Sequence, residues 1–287
     1  MLDLALSVCF SSLIFVIFKL FDVYKIETLY AIITNYVVAC IVGLFFFTGE
    51  VNPAEIAQQP WFLGTLVLGF LFIVVFNLMA KTSQSVGVSV ASVATKMSLV
   101  IPVIFGVVVY KEELGVLKII GILLALAAVY FASIKERPLV IKKSALLLPI
   151  LVFLGSGIID TSIKYVQEVH ITENEFPLFS ATVFASAASV GIVFILIKSL
   201  QKPLKVNLKN ILGGIALGVP NYFSIFYLLR ALQNPTLNSA SVFTINNVAI
   251  VMLSTLLGIL LFKEQISFKN WGGIALAVIS IILVALF

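Results

Sequence analysis

Apolar runs of about 18–24 residues recur from one end of the chain to the other, and each matches the ~20 residues a helix needs to cross the hydrocarbon layer. No other feature constrains the fold as strongly. Lipid offers no hydrogen bonds to a peptide group, so a run of this length must satisfy its backbone internally, as a helix does. A membrane β-barrel would show shorter segments of alternating polarity. Composition agrees: 61% of the 287 residues are hydrophobic and 11% are charged, with a mean hydropathy of +1.19. A soluble protein of this length needs far more polar surface over its core. The expectation is an all-α polytopic membrane protein.

Ten spans are predicted, at 4–21, 29–47, 61–80, 86–109, 115–132, 144–165, 176–198, 211–230, 238–262 and 270–287. The longest connection, "TGEVNPAEIAQQP", has 13 residues. None is large enough for a soluble domain, so the activity is expected inside the membrane. Pro60 and Trp61 open the third span, and Asn270 and Trp271 the tenth, with the indole rings where interfacial tryptophan is favoured. Pro177 suits the first turn of the seventh, where its missing N–H costs nothing. No basic stretch or cleavage site accompanies the first run, which reads as a retained helix rather than a signal peptide. The net charge of +5 does not point to nucleic acid, because the basic residues lie mostly in the connections, where membrane topology accounts for them. Cys9 and Cys40 fall in different spans, without the spacing of a metal or redox site.

The chain also repeats. At an offset of 152 residues, "GVVVYKEELGVLKIIGILLALAAVYF" aligns with "GILLFKEQISFKNWGGIALAVISIIL". Gly106 then pairs with Gly258, Lys111–Glu112 with Lys263–Glu264, Gly121 with Gly273 and Ser89–Val90 with Ser241–Val242. Lys19 and Lys164 match at an offset of 145, each near the end of the first helix of its half. The expected organisation is a five-helix unit at 1–134, a linker at 135–143 and a second five-helix unit at 144–287. Five is odd, so the second unit enters the membrane with the opposite orientation, the inverted-repeat arrangement of many secondary transporters.

On these residues the chain resembles the EamA-type transporters of the drug/metabolite transporter superfamily. The resemblance rests on "LIFVIFKLF" in the first span and the "KEEL" and "KEQI" turns before the fifth and tenth. It also rests on the glycine one turn into each of those spans, and on "ASVATKMSLVIPVIFG" and "SASVFTINNVAIVMLSTLLG". It implies ten helices as two inverted repeats and an efflux protein of the plasma (inner) membrane. The superfamily carries amino acids, sugars, nucleotide sugars, cations and drugs, so it implies no one substrate.

Polar residues within the spans are the candidates for function. A lysine at the centre of a membrane helix costs roughly 2.5–3.5 kcal/mol on insertion scales, and Lys96 stands there. Ser85, Ser89, Ser92 and Lys96 are spaced by four, three and four, which puts them on one helical face. The stripe reads either as the wall of a polar cavity or as a packing seam in which Lys96 forms a structural ion pair. In the second half, Ser241, Thr244 and Asn247 form a similar stripe with Asn246 beside it. Ser156, Asp160 and Lys164 lie four apart, Asp before Lys, the favourable order for an ion pair. Asp160 is a candidate for pairing with Lys164 or Lys96, or for proton coupling. The dipeptides Asn35–Tyr36 and Asn221–Tyr222 are further candidates, the second following Pro220, which should kink its helix or free a carbonyl. Ala181, Ala185 and Ser189 read as a small-residue packing seam. His170 lies near Glu168, Glu173 and Glu175 without metal-ligand spacing.

Positive charge is lopsided. Alternate connections carry thirteen Lys and Arg on one side and four on the other. The positive-inside rule then puts both termini outside the cytoplasm, whereas the resemblance implies cytoplasmic termini, so orientation is not assigned. No G-x-x-x-x-G-K-[ST] appears, which argues against direct ATP drive. An intramembrane enzyme would need a nucleophile with its base, or a metal cluster, and neither is present in the pattern. No cofactor is expected. The leading expectation is a secondary transporter of a small polar or amphipathic metabolite. It would work by alternating access, with a coupling ion or proton as candidate partner, the bilayer as surroundings and no nucleic acid. Substrate contacts are expected from Lys96, Ser92, Asn35, Tyr36, Asn221, Tyr222, Asn246 and Asn247. The alternative is a nucleotide-sugar or phosphorylated-sugar exchanger in which Lys96 and Arg230 bind phosphate.

Overall fold

The computed structural model describes residues 1–47, 49, 52–85, 94–96, 98, 100–111, 115–133, 147–172, 175–200, 207–234, 237–262 and 268–286. Ser89, Ser92, Glu112, Glu173, Lys263, Glu264 and the expected linker lie outside them. The long helices are α1 (Leu2–Val23), α2 (Thr28–Phe46), α3 (Phe62–Ser85), α4 (Val100–Tyr110) and α5 (Val116–Ser133). They continue with α6 (Leu147–Val169), α7 (Phe176–Ser199), α8 (Leu208–Leu232), α9 (Ser239–Phe262) and α10 (Phe268–Leu286). Among the described residues six helices are long and apolar enough to cross a membrane: α1, α2, Phe62–Met79 of α3, α7, α8 and Ser241–Phe262 of α9. Val116–Ala128 and Trp271–Ser280 are shorter apolar stretches.

Local chemistry sets the helix starts. The Asn207 Oδ1 accepts the Asn210 N–H at 2.9 Å, and the Asn238 Oδ1 accepts the Ser241 N–H at 2.8 Å, each supplying a partner for an otherwise orphaned donor. Asn52 does the same for a short helix, Pro53–Gln58, inside the longest predicted connection; its Asn-Pro start is a legible signal. Asn210 also ties two helices together, its Oδ1 accepting the Glu27 N–H at 2.9 Å just before α2.

The contacts fix helix directions. Against α1, α8 is antiparallel: the Ser7 hydroxyl donates to the Ser224 carbonyl at 2.9 Å, while Phe21 meets Gly213 at the far end. Parallel to α8 runs α2, with Thr34 against Gly214 and Val38 against Gly218. Antiparallel to α2 runs α7, with Gly43 at Ala181 and Ile33 at Gly191. Trp61 on Phe179 and Gly69 on Ser186 make α3 parallel to α7. Gly64 at Val166 and Val75 at Gly155 make α6 antiparallel to α3. Ile101 at Gly157 and Tyr110 at Lys164 make α4 parallel to α6. Leu4 packs with Val242 and Phe243 at one end, and Lys19 meets Phe262 at the other, so α9 is parallel to α1. Thus α1, α3, α7 and α9 point one way, and α2, α4, α6 and α8 the other.

The largest buried cluster joins α2, α3, α6, α7 and α8 through Tyr36, Phe72, Ile163, Phe184 and Tyr222. Helices α5 and α10 pack on each other, and the fully buried Ser280 hydroxyl donates to the Gly121 carbonyl at 2.7 Å.

One local expectation is corrected. Trp61 is not an interfacial anchor: it is buried edge-on against Phe179, 5.7 Å between ring centroids, whereas Trp271 is 57% exposed. For Pro220 the freed carbonyl is the alternative that applies, since α8 runs unbroken from Leu208 to Leu232. The group that loses its donor is the carbonyl four residues back, at Ala216.

Candidate functional site

Lys96 is buried, and residues of α1, α6 and α9 gather on it. Its Nζ donates to Asn247 Oδ1 on α9 at 3.3 Å and lies 5.5 Å from the centroid of the Phe15 ring on α1. Asp160 on α6 is half-buried and near enough for its charge to attract that of Lys96. No direct ion pair closes between Asp160 and either lysine among the described residues. A charge that costs a few kcal/mol to bury is therefore held by one side-chain carbonyl, one aromatic face and one carboxylate at a distance.

The same helical faces carry further polar groups. Ser12 lies one turn before Phe15, Ser156 one turn before Asp160 and Thr244 one turn before Asn247. Their hydroxyls and the Asn246 Oδ1 are buried and make no hydrogen bond among the described residues. Buried polar atoms are nearly always paired, and each exception asks for an explanation. Here three of them lie one helical turn from the residues that meet Lys96. Ser12 and Phe15 are the residues that sequence reasoning missed. The signal was available, because the offset of 145 that pairs Lys19 with Lys164 also pairs Phe15 with Asp160.

The other candidates go elsewhere. Tyr36 is fully buried, its hydroxyl donating to the Phe72 carbonyl at 3.2 Å and its ring near Phe72, Phe76 and Phe184. Tyr222 is also fully buried, between Phe46, Phe184 and Phe226, and its hydroxyl has no partner among the described residues. The Asn35 Nδ2 donates to the Ile32 carbonyl at 3.3 Å, while its Oδ1 and the Asn221 Nδ2 are unpartnered among the described residues. These four lie where α2 packs on α7 and α8, not against Lys96. Lys164 is fully buried, its Nζ 5.0 Å from the Tyr110 ring centroid. Arg230 sits 3.6 Å from Asp3 at the start of α1, twelve residues or roughly 18 Å along that helix from Phe15. A cavity of about 430 Å³ opens between α3, α4 and α6, lined by Trp61, Phe105, Tyr165 and His170.

Apolar helices of membrane-spanning length around a buried, charged interior define a multi-pass integral membrane protein. The comparisons agree. The EamA-like transporter family matches residues 1–134. An uncharacterized protein of Haemophilus influenzae (strain ATCC 51907 / DSM 11121 / KW20 / Rd) is 31% identical over 250 residues, 85% of this chain and 84% of that one. A solved crystal structure has the same fold, with a TM-score of 0.74 at 14% identity over 98% of this chain and 94% of the other. The chain belongs to the EamA-like transporter family, within the drug/metabolite transporter superfamily.

Proposed function

We propose that this membrane transporter is a secondary exporter of a small polar or amphipathic metabolite. Ten spans form two five-helix halves of opposite orientation, and transport is by alternating access to a site around Lys96. The observation that carries the reading is the convergence on one buried ammonium of α1 from the first half with α6 and α9 from the second. The opposed directions of α1 and α6 support the inverted repeat, since they begin the two halves. Unpartnered hydroxyls at Ser12, Ser156 and Thr244 suit a ligand with several hydrogen-bonding groups, and the cation suits a carboxylate-bearing one. Asp160 is placed to hold Lys96 between turnovers or to carry a coupling proton. The exchanger reading needs Lys96 and Arg230 at one phosphate, and the placement of Arg230 beside Asp3 gives it no support. A plasma (inner) membrane location accords with export.

The test is thermal stabilisation of the purified protein by a metabolite library, run on wild type and Lys96→Met in parallel. A ligand at a hundred times its Kd stabilises the state it binds by about 2.7 kcal/mol. The expected result is a ligand that stabilises the wild type and not the folded variant. Equal stabilisation of both would remove Lys96 from the site.

A further inference from the structure

The two halves touch each other through a reciprocal pair of contacts. Lys19 Nζ, near the end of α1, lies 4.6 Å from the ring centroid of Phe262, the last residue of α9. Lys164 Nζ, near the end of α6, lies 5.0 Å from the ring centroid of Tyr110, the last residue of α4. Lys19 and Lys164 are repeat equivalents at 145 residues, and Tyr110 and Phe262 at 152. In each contact the first helix of one half reaches the fourth helix of the other. Because α1 and α9 run opposite to α4 and α6, the contacts lie toward opposite faces of the membrane. The Lys96 site lies between them: Phe15 is one turn before Lys19 and Asp160 one turn before Lys164, about 6 Å along each helix.

We propose that these contacts are the two opposed gates of the transport path. Lys19–Phe262 closes the face where α1 and α9 end, and Lys164–Tyr110 closes the face where α4 and α6 end. This rests on the transport reading above and names the residues that would alternate. Each ammonium is attracted to the ring face that it covers. Separating α1 from α9, or α4 from α6, breaks one contact and leaves the other intact. Both contacts are made in this structure. The lysines are also one turn from the groups that face Lys96, so a ligand that displaces Phe15 or Asp160 acts on the adjacent latch through a single helix.

The test reads access from each side. Ser156→Cys in a Cys9→Ser, Cys40→Ser background places one thiol beside the site. A membrane-impermeant maleimide is applied to right-side-out and to inverted vesicles. Phe262→Ala is expected to raise the labelling rate about tenfold from one face only, and Tyr110→Ala about tenfold from the opposite face, the scale set by losing a desolvated cation–π contact. Phe262→Tyr and Tyr110→Phe keep the rings and should label like the parent. Lys19→Met and Lys164→Met approach each latch from the other partner, so the assignment stays testable if an alanine variant does not fold. Acceleration from the same face by both alanine variants, or no change in folded variants at both latches, would overturn the gate assignment. A parent labelled from both faces supports the transport reading independently. A parent and variants all confined to one face count against that reading itself.

Discussion

Lys96 makes its one hydrogen bond among the described residues to Asn247, and this makes the pair separable by mutation. Asn247→Leu leaves a buried ammonium without that acceptor and should cost about 1.5–3 kcal/mol, the range for a hydrogen bond to a charged group. Lys96→Met removes the charge together with its own desolvation cost while keeping most of the stem, and should be better tolerated than Asn247→Leu, which keeps the charge buried. Thermal unfolding in detergent orders the two. A Lys96→Met variant less stable than Asn247→Leu would mean that the lysine is structural. The tyrosines offer a second contrast. Tyr36→Phe breaks a buried hydrogen bond to the Phe72 carbonyl and should cost about 1 kcal/mol. Tyr222→Phe removes a hydroxyl that has no partner among the described residues and should leave stability unchanged or raised. If it abolishes ligand stabilisation without unfolding the protein, the aromatic junction of α2, α7 and α8 is part of the ligand path after all.

At the level of elements, helix lengths were legible and helix faces were not. The reading placed the seventh span at 176–198, and α7 runs Phe176–Ser199, because length and apolarity are what the bilayer selects. The small-residue seam on that helix was placed on the wrong face. Ala181 does meet α2 at Gly43, but Ser189 is exposed, and the buried stripe continues through Phe184, Ala187, Ala188 and Gly191. In water a helix betrays its inner face by polarity; in lipid both faces are apolar, so periodicity carries little information. Trp61 was misjudged for the same reason. Lys96 and Asn247 were legible as polar exceptions in apolar runs, while Phe15 was hidden among 24 phenylalanines. Helices α2 and α8 approach each other closely. A Cβ on Gly218 would lie 2.7 Å from the Val38 Cβ and 2.8 Å from the Asn35 carbonyl oxygen, which is backbone and cannot yield by a rotamer change. Gly218→Ala should therefore cost about 1–3 kcal/mol, the range for overpacking. Gly64→Ala meets only Val166 at 3.6 Å and should be tolerated. A similar unfolding temperature for the two variants would contradict the close approach of α2 and α8.

At the scale of the molecule, charge and helix direction tell one story. Lys25 follows α1, Lys81 lies toward the end of α3 and Lys198 toward the end of α7, and those three helices are parallel, so these cations share one face. Arg230 near the end of α8 lies with Asp3 at the start of α1, on the other face, with Lys111 after α4. Among the described residues the cations at the ends of α1, α3 and α7 therefore lie on the face opposite those at the ends of α4 and α8, a division of the kind on which a fixed orientation draws. An even number of spans returns both termini to one face. A single cysteine added at either end of a Cys9→Ser, Cys40→Ser protein should react with an impermeant maleimide in the same vesicle orientation. Reaction in opposite orientations would require an odd number of spans and would end the pairing of two five-helix halves, whatever the substrate proves to be. The shared face also settles the orientation that charge and family resemblance assign differently. Labelling from outside the cell puts the lysine-rich face in the cytoplasm, as the positive-inside rule demands. Labelling from the cytoplasm puts that face outside, and topology is then set by something other than the lysines near the helix ends.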